Sequence, residues 1–156
     1  MKEGRIRKAE KKDLARIAEI LVFNNRLFFY PIFRDEEYSF GFMNVEAVMK
    51  EYRQDPVMMN ETYVYDDGLI RGILRFDGTE IIKLYVDPFF QNRGIGQKLL
   101  EFALEGKERV FLWALEKNEA GRRFYRRNGF AETGERKFEE GTEEYLIRME
   151  YAKADV

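Results

Sequence analysis

The chain has 156 residues, 45% of them hydrophobic and 36% charged, with a formal net charge of −2, which is the size and balance of one domain with its own apolar core. It contains neither Cys nor His, so disulfides, thiolate metal sites, a Cys nucleophile and every imidazole base or ligand are excluded. Ser occurs only at Ser39, which rules out a Ser-His-Asp hydrolase and leaves carboxylates, Tyr, Lys, Arg and backbone groups for any catalysis.

Taken in chain order, Arg5 to Arg7 reads as a short strand. Leu14, Ile17, Ala18 and Leu21 then fall on one face of a helix from about Asp13 to Phe23. Val45, Val48, Met49 and Tyr52 repeat that spacing behind Asn44, a suitable N-cap, and predict a second helix. The period then changes. Thr62 to Tyr65 and Leu69 to Phe76 flank the turn Asp66-Asp67-Gly68, and Asp77-Gly78 leads into Glu80 to Val86, which predicts three antiparallel strands in succession. A helix from about Gly94 to Leu104, a strand at Val110 to Leu115 and a helix at about Glu119 to Arg127 follow. Phe130 to Arg136 and Glu144 to Tyr151 close the chain as paired strands. The order βααβββαβαββ is that of an α/β mixed sheet with helices on its faces. No repeat, low-complexity tract or linker interrupts it, so residues 1–156 are expected to form a single domain.

No stretch approaches the roughly 18 apolar residues of a membrane span, and the opening MKEGRIRKAEKKD lacks the apolar middle of a signal peptide. A cytoplasmic protein without a membrane partner is expected. Lys and Arg are scattered among Asp and Glu, so no nucleic-acid footprint stands out.

The stretch QNRGIGQKLL, residues 91–100, joins the end of a strand to the start of a helix. Free N–H groups and the positive end of the helix dipole make that a setting for an anion, and glycine lets the anion sit against the backbone. The glycines also serve a tight turn and close helix packing. A Rossmann fingerprint is incomplete, because Leu99 stands where the third glycine belongs, and a Walker loop lacks its G-K-[ST].

The combination of Q-x-x-G-x-G at Gln91, Gly94 and Gly96 with the preceding EIIKLYVDP and the following LWALEKNEAGRRFYRRNGF resembles the GNAT family of acyl-CoA-dependent N-acetyltransferases. The resemblance is strongest over Glu80 to Phe130. It implies the GNAT fold and direct transfer of an acetyl group from acetyl-CoA to a primary amine, with no metal. It also implies that Gln91, Asn92, Arg93, Gly94, Ile95 and Gly96 cradle the coenzyme A pyrophosphate. Backbone N–H groups near Tyr85 and Val86 are expected to hold the cofactor between strands that splay apart, and Asn118 is expected on the pantetheine arm, with helix capping as its other role. Arg122, Arg123 and Arg126 are candidates for the nucleotide 3′-phosphate or a solvated helix face.

An alkylammonium of pKa about 10.4 is rarely free amine at neutral pH, so a base is valuable. Glu80, eleven positions before Gln91, stands where the histone-acetylating branch of the family places its general base, and Glu116 is held in reserve. Tyr125, in FYRRNGF, maps to the family Tyr that stabilises the departing thiolate. In this family the least regular segment builds the acceptor wall, here Val22 to Asn44. Its Phe23, Phe28, Phe29, Tyr30, Phe33, Tyr38, Phe40 and Phe42 are expected chiefly as core beneath a loop, and otherwise as an apolar acceptor surface or a homodimer contact. The acceptor stays open among peptide N-termini, lysine side chains, polyamines, antibiotics and small amines. A catalytically silent acyl-CoA-binding module is the alternative function.

Overall fold

In the computed structural model, which describes residues 3–154, a seven-stranded sheet runs in the order β1-β2-β3-β4-β5-β7-β6. The strands are β1 Arg5–Lys8, β2 Thr62–Asp66, β3 Ile70–Asp77, β4 Glu80–Val86, β5 Arg109–Leu115, β6 Phe130–Phe138 and β7 Tyr145–Ala152. Every neighbouring pair is antiparallel except β4 and β5. The helices are α1 Leu14–Asn24, α2 Tyr30–Phe33, α3 Val45–Gln54, α4 Pro56–Asn60, α5 Ile95–Leu104 and α6 Glu119–Arg127. The expected order therefore holds with two short helices added, and among the described residues no helix is long and apolar enough to cross a membrane.

Periodicity explains the layers. On one face of the sheet, Ile17, Ile20 and Leu21 of α1 and Val48 and Tyr52 of α3 pack with Met58 on Val64 and Ile73. On the other, Ile95, Leu99, Leu100 and Ala103 of α5 cover Leu74, Ile81, Leu112 and Met149. Side chains of this size contribute about 1.5–3 kcal/mol each when fully buried. Asn44 caps α3, its Oδ1 accepting from the Ala47 N–H at 2.9 Å. Asp55 caps α4 in the same way from Met58 at 3.1 Å, with Pro56 opening the helix.

The segment between α1 and α3 differs from expectation. Instead of a loop over buried rings, α1 widens into a π-helical turn at Asn25–Phe29, passes through α2, and ends at Arg34 with φ of 56°. A second π-helical turn follows at Glu37–Phe42. None of the eight rings is fully buried, and Phe28, Tyr38, Phe40 and Phe42 are exposed. A helical path alternates its faces every few residues, so a run this dense in rings sends some outward whichever face meets the core.

The N-terminal end of α1 is anchored by charge. Asp13, 4% exposed, accepts from Arg7 Nη1 at 2.7 Å and Nη2 at 3.0 Å and from the Glu10 N–H at 2.8 Å. Burial disfavours the Asp13 carboxylate, but the Arg7 hydrogen bonds, the Glu10 N–H and the Arg7 charge outweigh that and hold its pKa below the ordinary carboxylate value. A carboxyl depressed in the folded state supplies stability that is present above its unfolded pKa and lost as pH falls through the folded one. Thermal unfolding is thus expected to move to lower temperature as pH drops below about 4. Asp13→Asn should cost about 2 kcal/mol at neutral pH and flatten that acid dependence, measured by calorimetry across pH.

Candidate active site

Strands β4 and β5 run parallel but pair only at Glu80↔Phe111 and Ile81↔Leu112. Beyond that point they part, and a gap opens toward their C-terminal ends. The Asp87 N–H donates to the Arg71 carbonyl at 2.9 Å, toward β3. Successive N–H groups of a strand point to opposite sides, so Tyr85 also turns its N–H to β3, while Leu84 and Val86 turn theirs into the gap. Of the two residues expected to supply backbone donors here, Val86 is so oriented. Tyr85 instead offers its side chain, and Leu84 is the donor that motif reading missed.

The far end of β4 is held from α1. Asn24 Nδ2 donates to the Val86 carbonyl at 3.0 Å. Arg16 Nη2 lies 2.6 Å from Asp87 Oδ2, and Asp87, 2% exposed, accepts from the Phe89 N–H at 2.8 Å. These contacts fix where the following loop begins. From Asn92 to Gln97 the backbone N–H groups have no acceptor among the described residues, and the Lys98 N–H is the first to bond back, to Gly94 at 3.1 Å. Asn92 and Gly94 adopt φ of 62° and 80°, which turns the chain so that these donors face outward together. The two glycines differ. A Cβ at Gly94 would meet nothing within 4 Å, so backbone conformation selects glycine there, whereas Gly96 lies close beneath Phe124 and Val86. Arg71 and Arg93 both stack on the Phe90 ring, at 4.3 and 5.3 Å, beside the loop; Arg71 is already paired with Asp67 at 2.8 Å. Donors, dipole and the Arg93 cation together fit a diphosphate.

Across the gap, α6 begins at Asn118, whose Oδ1 accepts from the Gly121 N–H at 3.1 Å. The cap role is present, and the Asn118 amide nitrogen remains free of protein acceptors among the described residues. Tyr125 packs edge-on against Phe124 and Phe130, with ring centroids at 5.3 and 5.5 Å. Burial pushes its phenol well above the ordinary value, with Tyr85 adding to the push. Burial likewise pushes Tyr85 up to about 12, reinforced by the Glu139 carboxylate. Both hydroxyls therefore stay protonated at neutral pH and are donors. Arg122 and Arg126 are committed to Glu132 on β6 and hold its carboxyl low, so two of the three arginines considered for a phosphate are already paired. Glu116 stands at the rim, 43% exposed and 3.7 Å from Arg136.

Glu80 opens β4 at the closed end of the gap. A bulge leaves Ile82 without a partner, since Phe76 pairs with Ile81 and Arg75 with Lys83. That extra residue brings Glu80, Lys83 and Tyr85 onto one face despite their uneven spacing, the face that also carries Phe111 and Trp113 of β5. Phe29 of the first π-helical turn meets Tyr85 edge-on at 5.7 Å. Glu80 lies about 13 Å along the strand from Leu84, out of direct hydrogen-bond reach of the donors that face the gap. Lys83, Glu139 and Asn24 border this region without any sequence motif to mark them.

Residues 59–132 match the profile of the acetyltransferase (GNAT) domain family. A curated relative is an uncharacterized N-acetyltransferase of Methanocaldococcus jannaschii, 38% identical over 72 residues, which are 43% of this chain and 32% of that protein. The chain thus spans about a third of that relative's length. Among solved structures, apo YjaB from Escherichia coli superposes with a TM-score of 0.78 at 21% identity, covering 97% of this chain and 99% of that one. The PaiA N-acetyltransferase of Thermoplasma acidophilum, solved in complex with coenzyme A, does so with a TM-score of 0.69 at 22% identity, over 97% and 99%.

Proposed function

We propose that the chain, whose residues 59–132 match the GNAT acetyltransferase domain, transfers the acetyl group of acetyl-CoA directly to a primary amine. The observation that carries the reading is the row of unpaired N–H groups from Asn92 to Gln97, set at the head of α5 where β4 leaves β5. Gln91, Asn92, Arg93, Gly94, Ile95 and Gly96 hold the pyrophosphate, Asn118 the pantetheine arm, and the N–H groups of Leu84 and Val86 the thioester side of the gap. Acetyl-CoA supplies the activated acyl group.

The protein's part is to hold amine and thioester together, to aim donors at the developing oxyanion and to manage protons. Glu80 draws the amine proton through water on the open face. Tyr125 Oη donates a hydrogen bond to the departing sulfur. Its raised pKa lies far above a thiol's 8.5, so full proton transfer from Tyr125 is uphill and hydrogen bonding is its contribution. No covalent enzyme intermediate is required.

Calorimetric titration with acetyl-CoA, NAD and ATP tests this reading. Micromolar binding of acetyl-CoA alone is expected, followed by thiol release when amines are screened. Failure to bind acetyl-CoA would reduce residues 91–97 to a tight turn.

A further inference from the structure

Lys83 is the one lysine on β4, and its surroundings are unusual for a cation. In the β3–β4 register it stands directly opposite Arg75, and like charges in that position repel. Arg75 commits Nη2 to Glu61 at 3.2 Å, while its Nε is buried without a partner. Glu51 of α3 is the carboxylate whose charge reaches Lys83, yet no ion pair or hydrogen bond to the ammonium occurs among the described residues. Lys83 is half-buried. Burial pushes its pKa down, Glu51 opposes that and Arg75 adds to it, so the free amine is more available than on an exposed lysine.

Position makes that amine more than a misplaced charge. Lys83 comes two residues after the last β4–β5 pair, at the point where the gap opens, and immediately before Leu84, whose N–H points into the gap. Through the bulge at Ile82 its side chain shares a face with Tyr85 and Glu80. The four-carbon stem is flexible, and its strand position lies at the mouth of the opening.

We propose that Lys83 is itself an acetyl acceptor, a self-modification site filled by transfer of an acetyl group onto its ε-nitrogen from acetyl-CoA bound in the same chain. The inference rests on reading the loop at 91–97 as an acetyl-CoA site. The neutral nitrogen forms a bond to the acetyl carbon, the carbon–sulfur bond breaks, the nitrogen loses one proton and the released thiolate takes one up, so no further reactant is needed. The product is a neutral amide opposite Arg75, which ends the like-charge opposition across β3 and β4.

The experiment incubates the purified protein with isotopically labelled acetyl-CoA and no added amine, then maps peptides by mass. Unlabelled acetyl acquired in the cell and labelled acetyl acquired in the tube are both counted. Acetylation of Lys83 that saturates with acetyl-CoA, is competed by free coenzyme A and slows roughly a hundredfold in Tyr125→Phe supports the proposal. Lys83→Arg should remove that label while calorimetry still finds coenzyme A bound. Label confined to exposed lysines such as Lys12 or Lys50, or no label, in protein that binds coenzyme A overturns the proposal and leaves the proposed function standing. Absence of coenzyme A binding overturns both.

Discussion

Tyr125→Phe is expected to lower turnover roughly a hundredfold while leaving the affinity for acetyl-CoA nearly unchanged. The substitution removes one oxygen and keeps the ring. Packing against Phe124 and Phe130 is retained, and the Tyr125 hydroxyl has no protein partner among the described residues that would be stranded by its loss. Stability should therefore hardly move. A donor used only as the sulfur leaves changes kcat and kcat/KM together, whereas a group that merely shapes the site changes KM. Measuring both constants and the unfolding temperature separates these cases, and equal turnover in the variant would remove Tyr125 from the chemistry. The pH profile adds a second check. With both Tyr85 and Tyr125 raised by burial, neither should produce a loss of rate between pH 7 and 9.

The parts of this site that were legible in sequence are those where the backbone itself does the work. Gly94 between a strand and an apolar helical period, Asn118 ahead of α6 and the Asp-Gly turns each impose local geometry, and local geometry leaves a local trace. The parting of β4 and β5 was foreseeable only through the family resemblance, since side-chain alternation does not say where two strands stop pairing. What could not be read was register. The bulge at Ile82 has no glycine or proline to announce it, yet it decides that Lys83 joins Glu80 and Tyr85 on one face. Asn24 and Val86 are joined by a hydrogen bond across sixty-two positions, and nothing in the period of α1 distinguishes Asn24 from an ordinary polar residue near a helix end. The rings of Val22 to Asn44 misled for a related reason. Their number suggested core, but burial follows from direction, and two π-helical turns reset direction in ways composition does not record.

Those contacts also bear on how the loop and the aromatic segment act together. Asn24 is the last residue of α1 and the next turn is the π-helical one that brings Phe29 onto Tyr85. The residue that fixes the Val86 carbonyl is therefore continuous with the segment that borders the open face. A change in the loop's starting point would be felt by the aromatic segment through one helix turn.

Gly94→Asp is the second large effect, and its comparison with Gly94→Asn isolates the cause. Gly94 has φ of 80° and a Cβ there meets nothing within 4 Å, so neither variant creates a clash. Both residues enter the left-handed region more readily than others, at a cost of about 1–2 kcal/mol that the two share. They differ in charge. A carboxylate about 5 Å from a bound diphosphate is opposed by roughly 1–3 kcal/mol at effective dielectric constants of 80 to 20. Acetyl-CoA affinity should fall about tenfold to a hundredfold further in Asp than in Asn, and the gap between them should shrink as salt is raised. Unfolding temperatures of the two should agree. If Asp and Asn bind acetyl-CoA equally well at low salt, no anion sits against this turn, and the N–H groups of residues 92–97 serve solvent alone.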